Sequence, residues 1–247
     1  MKHMGWQIWF GLALIILSAI AYCIHYFIFR DLHHILIYLV GDIAFVFIEV
    51  LLVTLVIHQL LAAREKRTML EKMNMVIGAF YSDVGTKLLK SFAKFDTRIE
   101  NIRGDLAAAK TLSNKDFDNL NRKLESHDTV MKSDLQDLDN LAKFLYLKRD
   151  FLVRLLENPI LLEHGSFTNL LWAVFHLADE LALRQNVMEL SKPDHEHING
   201  DARRAYLLLL KEWVHYMKHL KANYPYLYSL AIRTNPFDTA ARPEVVQ

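Results

Sequence analysis

Apolar positions crowd into the first quarter of the chain and then thin into periodic stripes. Trp6 to Phe29 is an uncharged run of about 24 residues, which at roughly 1.5 Å rise per residue exceeds the roughly 30 Å hydrocarbon core of a bilayer. A second run, from Ile35 to Ala63, follows the polar joint Arg30-Asp31-Leu32-His33-His34, in which Asp31 is placed to cap the next helix. Together they read as a two-helix transmembrane hairpin over 1–63. A cleaved leader competes, because Lys2 precedes the first run and Ala19-Ile20-Ala21 has the small-x-small form of a cleavage site. Against it, the run continues through Tyr22, Ile24, Tyr26, Phe27 and Phe29, where a leader turns polar.

The second run ends in Arg64-Glu65-Lys66-Arg67, a basic cluster of the kind retained on the cytoplasmic face, whereas the joint offers only Arg30 beside Asp31. The expected location is the cell membrane, multi-pass, with both termini cytoplasmic and Arg30–His34 outside. Trp6 and Trp9 then sit at the inner interface.

Beyond Ala63 the spacing of apolar residues predicts α-helix throughout, making the fold class all-α. Met69, Met73, Val76, Phe80, Val84, Leu88, Phe92, Phe95, Ile99, Ile102 and Leu106 step by three or four. Gly78, Ser82 and Gly85 form a small-residue patch open to a close neighbour. The stripe lapses from Lys110 to Lys115, and Ser113 with Asp116 marks a new helix start. The next stripe is Phe117, Leu120, Leu124, Met131, Leu135, Leu138, Ala142 and Leu145. Residues 64–139 therefore read as a helical stalk, either an antiparallel helical hairpin or a coiled-coil-like neck.

Residues 140–236 are denser in aromatics and read as a compact helical bundle around Phe151, Phe167, Leu171, Phe175, Trp213 and Met217. One helix should stop before Asn158-Pro159. Ser166 is expected to cap the next, Lys192-Pro193-Asp194 and Gly200 to bracket a loop, and Asp201 to cap the helix carrying Tyr206, Leu209, Leu210, Trp213, Met217 and Leu220. A short segment from Tyr224-Pro225 closes at Asn235-Pro236, and 237–247 is expected as a flexible tail.

Composition narrows function without naming it. The formal net charge is +1, so no basic field points to nucleic acid. The single cysteine, Cys23, can form no intrachain disulfide. There is no phosphate-binding glycine loop, dinucleotide fingerprint or His-Glu-x-x-His motif, and His195-Glu196-His197 only superficially resembles the last. No cofactor is implied, and no catalytic activity is evident.

Two groups of residues carry candidate chemistry. Asp42 and Glu49, seven apart on the second span, share a face and demand pairing, hydration or protonation inside a bilayer. Gly11, Ser18 and His25 repeat at the same interval on the first span, and a turn near His33-His34 would set His25 level with Asp42 and Ser18 level with Glu49. These groups either fix hairpin register and oligomer contacts, with Gly11 and Gly41 allowing close approach, or line a polar path in an assembly. Among the histidines, His215 with His219 and His176 with Glu180 are each one helical turn apart, so each pair can offer two ligands to one metal. His215 and His219 lie among Lys211 and Lys218, as on a solvated surface.

The sequence thus supports a bilayer-embedded protein that tethers, and oligomerises, a cytoplasmic helical domain for interaction or signalling with a cytoplasmic protein partner. The competing reading is a small homo-oligomeric proton or cation channel or transporter using Glu49 and Asp42.

Overall fold

The computed structural model describes residues 4–108, 112–162 and 164–244. Among them the chain is helical without a β-strand; one isolated antiparallel bridge joins Asp96 to Met131. Lys2, the start of the expected lapse at Lys110 and Thr111, and the last three residues of the expected tail lie outside the described residues. Two compact units divide the chain, Met1–Arg67 and Thr68–Gln247.

The first unit holds α1 (Met4–Phe29) and the opening stretch of α2 (Leu32–Phe80). Both are long and apolar enough to cross a membrane, by length and composition, and none of the most apolar window of either is buried inside the chain. Phe29 ends α1 because Arg30 turns into the left-handed region at φ 47°, while its N–H still donates to the Tyr26 carbonyl at 2.8 Å. Asp31 then accepts from the His34 N–H at 3.1 Å, so it caps α2 as its side chain allows.

The second unit begins within α2 and continues through a π-helical turn (Tyr81–Gly85), α3 (Thr86–Phe95), α4 (Glu100–Ala107), α5 (Asn114–Glu125), α6 (Leu135–Leu156), the short α7 (Pro159–Leu162), α8 (Gly165–Ala182), a 3-10 turn (Val187–Glu189), α9 (Lys192–Asn223) and α10 (Pro225–Arg233). Its center is α9, flanked by α8, α5, α3 and α10. Buried Phe80, Phe92, Phe117, Leu138, Phe167, Tyr206, Trp213 and Phe237 belong to one continuous core.

That core corrects several expectations. The stalk expected at 64–139 and the bundle expected at 140–236 are not separately packed: Met73, Ile77, Phe80, Leu88, Ile102 and Leu124 are buried with residues of α8 and α9. The long stripe breaks at Asp96, whose extended backbone (ψ 106°) and carboxylate, accepting from the Arg98 N–H at 3.0 Å, replace helix by a local turn. Met131 lies outside any helix, since α5 stops at Glu125 and α6 starts at Leu135. Ser113 and Asp116 do form a reciprocal capping box at α5. His164 rather than Ser166 caps α8, its Nδ1 accepting from the Phe167 N–H at 3.2 Å. The expected loop at 192–200 is helix: Ser191 caps α9, Pro193 sits in the first turn where no N–H is missed, and Asp201 falls mid-helix and buried. Nor does the tail begin at 237. Phe237 is buried edge-on to Trp213, ring centroids 5.2 Å apart, and buried Asn235 donates to the Leu106 carbonyl at 2.9 Å.

Candidate functional site

The four polar candidates of the two apolar runs, Ser18, His25, Asp42 and Glu49, are not brought together. Because α1 ends at Phe29 and α2 begins at Leu32, the turn lies at Arg30-Asp31, three residues earlier than the His25–Asp42 match requires. His25 meets His34 instead, rings parallel with centroids 6.0 Å apart, beside Tyr22, Ile35 and Tyr38. The His25 Nδ1 is buried there without a hydrogen-bond partner among the described residues. Ser18, Asp42 and Glu49 are all exposed, and neither carboxylate meets a partner among the described residues. Among the described residues Gly11 and Gly41 have no neighbor within 4 Å of where a Cβ would stand, so the close approach they permit is not made there.

The second unit contains a cavity of about 480 Å³ between the end of α2, the π-helical turn, α9 and α10. Its walls are mainly apolar, with Met75, Trp213, Leu227 and Leu230, and its polar groups include Asn74, Tyr216 and His219. Such a lining suits a small apolar ligand carrying a hydrogen-bonding group. Gly78 opens the wall: a Cβ there would stand 3.3 Å from the Tyr216 hydroxyl of α9, so the expected close neighbor of the small-residue patch is α9 itself. The Tyr81 ring stacks on Tyr216 at 4.9 Å and donates its hydroxyl to the Leu209 carbonyl at 3.1 Å. Burial first, then Glu212 and Tyr216, push the Tyr81 phenol well above its usual range, which keeps it a neutral donor.

His219 is not the surface residue the lysine pattern implied. The Asn223 amide nitrogen donates to the His219 carbonyl at 3.0 Å and lies 3.2 Å from His219 Nδ1, so Nδ1 accepts and the ring proton belongs on Nε2. That Nε2 is buried with no partner among the described residues, and burial lowers the pKa of the ring. His215, its expected metal partner, is exposed.

The other expected pair fares differently. His176 and Glu180 of α8 face His197 and Asp201 of α9, which sequence reasoning missed. Both imidazole Nε2 atoms lie 3.4 Å from Asp201 Oδ2. Glu180 stands 4.0 Å from His176 and 3.7 Å from His197. Arg184 holds Glu180 at 2.8 Å and grips Asp194 through two nitrogens, lowering both carboxyls. His197 and Asp201 are one helical turn apart, a signal visible only once 192–223 is read as a single helix. As the side chains stand, no three His, Cys, Asp or Glu groups among the described residues are closed into a coordinating set.

Two further histidines join elements. Buried His127 Nε2 pairs with Asp96 at 2.9 Å, and His195 Nε2 lies 2.9 Å from the Ser133 hydroxyl, which donates to Asn199 at 2.9 Å. Neither arrangement faces a nucleophile with a general base, since the serine proton is already given to an amide oxygen.

Fold and sites together define a two-part, all-helical protein: an exposed apolar pair of helices, then a packed helical unit with a mainly apolar cavity beside α9 and α10. Two family models match the chain on either side of the same division, and the chain belongs to the MJ1433 family. The model of the MJ1433 N-terminal helical domain matches residues 1–61, and that of the C-terminal helical domain of the uncharacterized protein MJ1433 matches 69–233. Uncharacterized protein MJ1433 of Methanocaldococcus jannaschii is 46% identical over 228 residues, covering 92% of each chain. No solved structure matches.

Proposed function

We propose that the chain is a membrane-anchored interaction protein. Residues to about Ala63 cross the bilayer as a hairpin, with Arg30–His34 outside, and the unit from Thr68 onward works on the cytoplasmic side, where it engages a protein partner. The observation that carries this reading is the unburied apolar surface of α1 and the first part of α2. Apolar burial is worth roughly 25 cal/mol per Å², so a surface of this extent needs lipid or a neighboring copy to cover it. The basic cluster at Arg64 to Arg67 supports the orientation. Association through the spans supplies the oligomer.

A second reading is transport through an assembly of hairpins. Its support is the exposure of Asp42 and Glu49 without a partner among the described residues, which a neighboring copy or water would satisfy.

One experiment series tests the proposal. In a Cys23→Ser background, Leu32→Cys should label from outside intact cells while Lys66→Cys stays protected, and alkaline washing should leave the protein in the membrane fraction. Release by that wash defeats the anchor, and the reverse labelling pattern defeats the topology. Liposomes holding the wild type should show no proton or cation flux above empty controls; flux that Glu49→Gln removes would replace this reading by the second.

A further inference from the structure

Two facing pairs of metal-ligating side chains meet between α8 and α9. His176 and Glu180 are one turn apart on α8, and His197 and Asp201 are one turn apart on α9. An i, i+4 pair projects from one side of a helix, so two such pairs on packed helices bring four donors to one stretch of the α8–α9 seam, the kind of facing pairs from which helical bundles build metal sites.

Asp201 marks the center. It is 4% exposed, and its Oδ2 is buried with no hydrogen-bond partner among the described residues, although the Nε2 atoms of His176 and His197 both stand 3.4 Å away. Leaving a carboxylate oxygen buried and unpaired is costly. A tetrahedral ion bound at about 2.0–2.2 Å sets its ligand atoms about 3.3–3.6 Å apart, a range that includes the 3.4 Å of these two contacts. The other oxygen, Oδ1, forms an ion pair with Arg204 Nη1 at 3.2 Å, so an outer partner holds that side of the carboxylate while Oδ2 stands toward the imidazoles.

We propose that His176, His197 and Asp201 bind a divalent transition-metal ion of the zinc class, with Glu180 or water as the fourth ligand. Closing the set requires small rotations of His176 and His197. Their side chains are 47% and 55% exposed, so no core packing opposes that movement. Glu180, at 3.7 and 4.0 Å and held by Arg184, is the ligand that must travel furthest. Imidazole and carboxylate donors together suit zinc and its neighbors better than magnesium or calcium, which favor all-oxygen shells. The ion would join α8 to α9 at the solvent side of the core.

The test uses the untagged full chain in detergent, stripped with a chelator and titrated with cobalt(II) alone and with zinc(II) alone. One equivalent of cobalt should bind with the visible absorption of a tetrahedral N/O site, and zinc should displace it and raise the melting temperature. His176→Ala and His197→Ala, both at exposed positions that leave the core intact, should each weaken zinc binding by more than about 100-fold, with Glu180→Gln weaker in effect. Asp201→Asn should match the histidine variants. Absence of stoichiometric binding overturns the proposal, and so does binding that survives both histidine substitutions.

Discussion

At the residue scale, the cavity wall sets up a measurable pH effect. Burial depresses the His219 pKa below its usual 6.5, so between the folded and unfolded values the unfolded chain holds the proton and the folded chain does not. The stabilization from the neutral ring is therefore complete above about pH 6.5 and is lost as pH falls through the folded pKa. His219→Gln should flatten this part of the stability profile, as read by thermal melts at about pH 7.5 and about pH 5.5. An unaltered profile would mean that His219 remains solvated. The lysines on either side hid this residue in the sequence, because helical spacing says which side chains share a face but not that Asn74, distant in sequence, lies across from His219 at 3.4 Å.

At the element scale, the decisive features are where helices break and where they do not. The π-helical turn at Tyr81–Gly85 is packed so tightly that a Cβ on Gly85 would stand 2.6 Å from Tyr81 Cδ1 and 2.9 Å from Phe80 Cε1. Both rings are buried, so neither can swing aside. Gly85→Ala should therefore cost about 1–3 kcal/mol in denaturant melts, more than Gly78→Ala, which meets only the end of a tyrosine side chain at 3.3 Å. Equal effects would show that the turn relaxes freely. Ser113 and Asp116 were legible as a helix start because both members of the capping box are local. Lys192-Pro193-Asp194 misled in the opposite direction: the same proline that breaks a helix interior is favored in a first turn, and Ser191 decides which applies. Reading that stretch as a loop concealed the His197–Asp201 pair.

At the scale of the whole molecule, the unit from Thr68 onward has one core, and that determines what can fold alone. Buried residues of α2 to α5 pack with α8 and α9, so a fragment of residues 140–235 strips Phe167 of Phe80, Tyr206 of Phe92 and Trp213 of Phe237. Residues 68–244 should melt cooperatively while 140–235 should not. Within the larger piece, Trp213→Ala should cost about 3–5 kcal/mol, because the indole fills space between the cavity and Phe237. Cooperative melting of the shorter fragment would show the core to be divisible.

The all-helical class, the two apolar runs and most helix-forming stretches were set by the sequence itself. Periodicity, capping residues and proline act over a few neighbors, and a charge-free run of membrane length needs no tertiary partner to be recognized. Only the tertiary structure decided that neck and bundle are one body, that His25 meets His34 rather than Asp42, and that Phe237 belongs to the core. It alone set His176 and Glu180 before His197 and Asp201. These facts depend on turns of a few residues and on which faces of distant helices meet. A stripe of apolar residues states that a face is buried; what buries it is chosen by the packing of all the helices together.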